Sequence, residues 1–133
     1  MFGLNEKELG ILKEINTPSK IQDFLEDLEI NFERNGDTCM SPKKVLEMNR
    51  AHCIEGAIFA AAALRVNGFP PLVLDLTANK KDYDHVIAVF KKNDCWGAIS
   101  KSNILVRLFR VVATYSPANY FARDFHKLLR QEI

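Results

Sequence analysis

The apolar positions of this chain change period partway along. Up to Val66 they recur every three or four residues, and from Leu72 they alternate or run together. Leu9, Ile11, Leu12 and Ile15 predict a short helix over Asn5 to Ile15. Thr17-Pro18 is a restart signal, with Thr17 as N-cap and Pro18 at the first helical position. Ile21, Phe24, Leu25, Leu28 and Phe32 then carry a helix to Phe32. Ser41-Pro42 repeats the signal before a helix over Lys43 to Met48. Ile54 to Val66 is apolar nearly all round, the mark of a helix buried at the centre of a domain. Asn67-Gly68 ends it, and Phe69-Pro70-Pro71 forces an extended turn.

Strand signals follow. Leu72 to Leu76 reads as a strand, Thr77 to Tyr83 as a polar loop, and Asp84 to Lys91 as a central strand. Lys92-Asn93-Asp94 is a hairpin turn before a strand over Cys95 to Ile99. A fourth strand is expected over Ile104 to Val112, and Ser116-Pro117 opens a last helix to Gln131. Helices followed by an antiparallel meander imply an α+β fold, a single domain over residues 1–133. In it a buried helix packs on a sheet of three to four strands.

Composition adds bounds. The 133 residues are 47% hydrophobic and 26% charged, ordinary for a globular protein. A net charge of +1 gives no global field toward nucleic acid or membrane, and neither is expected as a partner. Charge is uneven, however. Residues 1–66 carry 8 basic and 11 acidic side chains, and residues 67–133 carry 10 and 6. Arg107, Arg110, Arg123, Lys127 and Arg130 make the C-terminal region a solvated face or a docking surface for an acidic protein partner. Cys39, Cys53 and Cys95 have no zinc-ligand spacing, and adding His52 and His126 supplies ligand types without a ligand pattern, so no metal or other cofactor is expected. Free thiols and an N-terminus without a signal-peptide core imply a reducing, cytoplasmic setting.

The candidate chemistry centres on Cys53, where a loop meets the buried helix. Unpaired N–H groups and the dipole at a helix start stabilise a thiolate, the form of cysteine that attacks. His85, on the central strand with Ile87 and Val89, is the candidate base. Ser100 or Asn103 is placed to orient its ring. The Cys53 backbone N–H and Asn49 are candidate oxyanion donors, and Trp96 a candidate wall for substrate. His52 reads as a surface residue ahead of the helix.

The ordered set resembles the core of the transglutaminase-like superfamily, a branch of the papain-like cysteine-enzyme fold. The resemblance rests on Cys53 at a helix start, the Ala60-to-Leu64 run ending at Gly68, His85 on a strand, a turn, and Trp96, and it covers residues 49–103. Residues 94–103 are similar to bacterial members of that superfamily. Where the family carries its Asp, this chain has Ile99-Ser100-Lys101-Ser102-Asn103. The resemblance implies acyl transfer through a thioester, as hydrolysis of a peptide or amide or transfer to an amine, by a Cys-His dyad or triad. The alternative is an inactive member of the fold that serves as a protein-binding module.

Overall fold

A computed structural model describes residues 2–76, 85–93 and 95–101 and the short segment 116–117. For Asp75, Leu76, His85, Cys95, Ser116 and Pro117 the description is of backbone alone. The four helix starts expected before Val66 are present, and the first three are written in local capping chemistry. Asn5 caps α1 (Glu6–Glu14) by accepting the Glu8 amide, while the Glu8 carboxylate accepts the Asn5 amide. Thr17 caps α2 (Pro18–Asp27) and Ser41 caps α3 (Pro42–Met48), each with proline at the first helical turn. The helix α4 (Cys53–Val66) is buried along most of its length, and the chain leaves it through Gly68 at φ +89°.

α2 stops short of the expected Phe32. Its apolar period continues, but its last carbonyls have a stronger partner than further helix. Buried Lys101 donates from Nζ to Leu25 O at 2.7 Å and to Leu28 O, so an ammonium takes the place of the next turn. The freed segment β1 (Glu29–Ile30) pairs in parallel with β2 (Arg50–Ala51), Glu29 beside Arg50 and Ile30 beside Ala51, and Phe32 is left 63% exposed. Burial pushes the Lys101 ammonium below its ordinary value, and Glu26 and Asp27 oppose that shift.

β3 (Leu72–Leu76), β4 (His85–Lys92) and β5 (Cys95–Ile99) form the antiparallel meander, with Asn93 at φ +54° in the β4–β5 turn. The two-residue β6 (Ser116–Pro117) pairs with β5, Pro117 opposite Cys95. This corrects the expectation that Ser116 caps a helix at once, since sheet pairing claims that dipeptide first. The strand expected over Ile104 to Val112, the helix body to Gln131 and the basic C-terminal side chains lie outside the described residues. The described chain is therefore mixed helix and antiparallel sheet, compatible with the α+β class.

The core forms where α4 crosses the sheet. Ala88, Phe90 and Ile99 cluster with Phe59, Ala60, Ala63 and Leu64 of α4, and with Leu12, Ile21, Leu25 and Val45 of the other helices. Each large side chain so buried stabilises the fold by about 1.5–3 kcal/mol. The alanines keep the helix close to the sheet, and Phe24 stacks on Phe59 with ring centres 5.1 Å apart. Ile87, Val89 and Ala98 are also buried but belong to the alternate strand positions, outside this cluster. Two polar clamps close the layer. The Gln22 side chain pairs with both backbone groups of Ser100 at 3.0 Å, and the Asn67 amide donates to Leu12 O at 2.9 Å and Ala63 O at 2.8 Å.

Gly56 of α4 lies tight against Lys101, two residues past the end of β5. A Cβ there would sit 2.5 Å from Lys101 Cβ, whereas one at Gly10 in α1 would meet nothing within 4 Å. Gly56→Ala is therefore expected to destabilise the chain by about 1–3 kcal/mol. Gly10→Ala, at an open helical position, stabilises it by about 0.5–1 kcal/mol. Urea unfolding of the two variants checks the opposite signs.

Candidate active site

β2 delivers the chain to α4. Ala51 is buried in the core, His52 follows with an extended backbone, and Cys53 is the first helical residue. The N–H groups of this first turn lack intrahelical acceptors. One is satisfied by a reach-back contact, in which the His52 amide donates to Glu55 Oε1 at 3.1 Å.

Glu55 is the centre of the site's framework. Its side chain is 0% exposed, yet it is an anion with four donors. Oε1 accepts from Asn31 Nδ2 at 2.8 Å as well as from His52. Oε2 accepts from Thr38 Oγ1 at 2.9 Å and from the Met40 amide at 2.7 Å. Burial alone would raise the Glu55 pKa. The bonds from Asn31, Met40, His52 and Thr38 outweigh it and hold the carboxyl below its ordinary value.

His52 does not lie on the surface as expected. It is 5% exposed because its ring has a partner in the 31–40 loop, Nε2 donating to Thr38 O at 2.7 Å. The same nitrogen lies 3.4 Å from Glu55 Oε1 and 3.6 Å from Glu33 Oε2. Glu33 in turn accepts the Thr38 amide at 2.7 Å. Loop, cap and helix start are thus one polar unit. Sequence reasoning missed Glu55, Asn31 and Thr38. The available signal was Glu55 three residues after His52, the spacing of a reach-back cap.

The Cys53 thiol is half-buried. Burial pushes its pKa above the ordinary cysteine value. The backbone amides of Val86, Ile54 and Cys53 lie close enough to favour the thiolate but do not offset that burial, and the Glu33 carboxylate adds to the upward shift. This corrects the expectation of a thiol made anionic by its helix start. The helix end contributes about half a charge, and the partial loss of water around the sulfur outweighs it.

The other expected residues fall at different places in the fold or outside the described residues. His85 heads β4 with its backbone paired to Leu76, one residue before the Val86 amide that meets the thiol. Its side chain lies outside the described residues, as does Asn103. Ser100 follows β5 and is 2% exposed, and its Oγ has no hydrogen-bond partner among the described residues. Asn49 is the left-handed C-cap of α3, φ +54°. Its side chain is exposed and its carbonyl takes the Glu29 amide, so it serves as a helix terminator. Trp96 is removed from the site by register. It pairs with Lys91, five residues beyond Val86, a separation of about 17 Å along the strand. There the Lys91 ammonium stands 5.9 Å from the indole centre.

A cavity of about 550 Å³ opens beside this framework. Asn31, Glu33 and Thr38 form its inner wall, and Phe32, Arg34 and Arg50 stand on its rim. Among the described residues no group of three or more His, Cys, Asp or Glu side chains could hold a metal ion, and no helix is long and apolar enough to cross a membrane. No protein-family model matches the chain, and no curated protein matches it.

Glu55→Gln puts an amide N–H against a donor and is expected to cost about 3 kcal/mol at neutral pH. The folded pKa of Glu55 is depressed, so its contribution is present above the unfolded value of 4.5 and is lost as pH falls below it. Chemical denaturation from pH 7 to pH 3 should show the gap between wild type and Glu55→Gln narrowing in acid.

Proposed function

We propose that the chain is a thiol-dependent acyl-transfer enzyme with a transglutaminase-like, papain-type core. The observation that carries this reading is the position of Cys53, first residue of a buried helix, its sulfur against the Val86 amide and one residue along from His85. The Cys-helix-strand-His order supports it independently.

The raised thiol defines the chemistry. Cys53 rests protonated, so the base must take the proton as attack begins. His85 accepts the Sγ proton, and sulfur bonds to the acyl carbon of a peptide or amide. The backbone N–H of Cys53 steadies the oxyanion. As the C–N bond breaks, the imidazolium returns the proton to the leaving amine, and a thioester remains. Water, or a second amine, then gives up a proton to His85 and bonds to the acyl carbon, and the imidazolium returns that proton to Sγ as the C–S bond breaks. Ala88 and Phe90 face α4, so this mechanism requires the His85 ring to turn about the end of β4 toward the thiol and not to follow Ile87 and Val89. The buried Ser100 hydroxyl is the described candidate for steadying that ring.

The test is alkylation of Cys53 by uncharged iodoacetamide across pH, read by mass spectrometry. In wild type, Cys53 should label at neutral pH. His85→Ala should lose neutral labelling by about tenfold or more and regain it only above the ordinary cysteine pKa of about 8.5. Coincident profiles would remove the imidazole from the site and favour the binding-module reading.

A further inference from the structure

We infer that the cavity beside the Glu55 framework is the recognition pocket for the acyl donor, and that it selects peptides carrying a carboxylate near the reacting bond. This inference rests on the acyl-transfer reading. The cavity belongs to the same unit as the thiol. Glu33 lines it, lies 3.6 Å from the His52 ring, and acts electrostatically on Cys53. Thr38 lines it and accepts from His52, the residue before the nucleophile.

Its free charge is the argument for the ligand. Arg34 and Arg50 are exposed at the rim, and their side chains make no ion pair or hydrogen bond among the described residues. Of the two acids that line the cavity, Glu33 is committed to the Thr38 amide and borders His52. Glu29 has no such partner among the described residues and neighbours Arg50 in the β1–β2 register, so it partly screens that guanidinium. A carboxylate entering from solvent therefore meets Arg34 unscreened and competes with Glu29 for Arg50. A planar guanidinium binds a carboxylate through two parallel hydrogen bonds. Phe32, 63% exposed on the same rim, offers an aromatic surface to the residue beside that carboxylate.

Full-length Cys53→Ala, which binds without turnover, is the protein to use. Its probes are two fluorescein-labelled random octapeptide pools, identical except that one has glutamate and the other glutamine at a fixed central position. Fluorescence anisotropy should show the glutamate pool bound more tightly, with the advantage shrinking as salt rises. Arg34→Gln and Arg50→Gln should each weaken that pool about fivefold to tenfold, the tenfold step being 1.4 kcal/mol. Glu29→Gln should tighten it, a gain that damage to the fold does not mimic. Equal binding of the two pools, or a preference indifferent to all three substitutions, overturns the inference. If the acid preference holds while Cys53 shows no His85-dependent alkylation, the pocket stands and the catalytic reading falls. The converse result removes the pocket and leaves the chemistry.

Discussion

A single buried anion holds the site together. Glu55 has no contact with solvent, and its two oxygens gather donors from Asn31, Thr38, Met40 and His52. An isolated carboxylate at that depth would cost several kcal/mol and would take up a proton. Four donors make the ion the favoured form, and that requirement fixes the 31–40 loop against the first turn of α4. The position of His52, the course of β2 and the inner wall of the cavity all follow from this one set of bonds.

The thiol beside it obeys the opposite balance. Cys53 sits in the same helical turn, but its amide neighbours do not compensate for lost water, and the Glu33 carboxylate is close enough to repel a second anion. The helix start that holds one negative charge at Glu55 therefore does not favour a second at Cys53. A thiol so placed rests protonated, in contrast to a preformed thiolate pair. Such a site resists oxidation and stray alkylation better than an exposed thiolate does.

What the amino-acid order revealed divides along physical range. Asn5, Thr17-Pro18 and Ser41-Pro42 announce helices because a cap bonds within three residues. The alternation after Leu72 announces the meander for the same local reason. The end of α2 was hidden because Lys101, more than seventy positions away, satisfies its carbonyls. His52 was misplaced because its partner, Thr38 O, belongs to an irregular loop. Trp96 was drawn into the site by its place in the order of the chain, and strand register sends it toward the far end of the hairpin. Cys53 stands at the helix start as its sequence position implied, yet its protonation depends on the depth of burial, which a linear pattern does not carry.

The clamp between Gln22 and Ser100 bears on how the molecule is made. It joins positions 78 residues apart, and Lys101 reaches back to α2 from the next position. On the ribosome, the first four helices emerge long before these partners do. Until residue 101 has cleared the exit tunnel, the end of α2 has bare carbonyls and the Gln22 amide has no mate. The helical half must wait, incompletely closed and with apolar surface open to other chains, for the sheet to arrive. Contacts of such long sequence separation close late, so the open interval of the helical half is set by the arrival of β4 and β5.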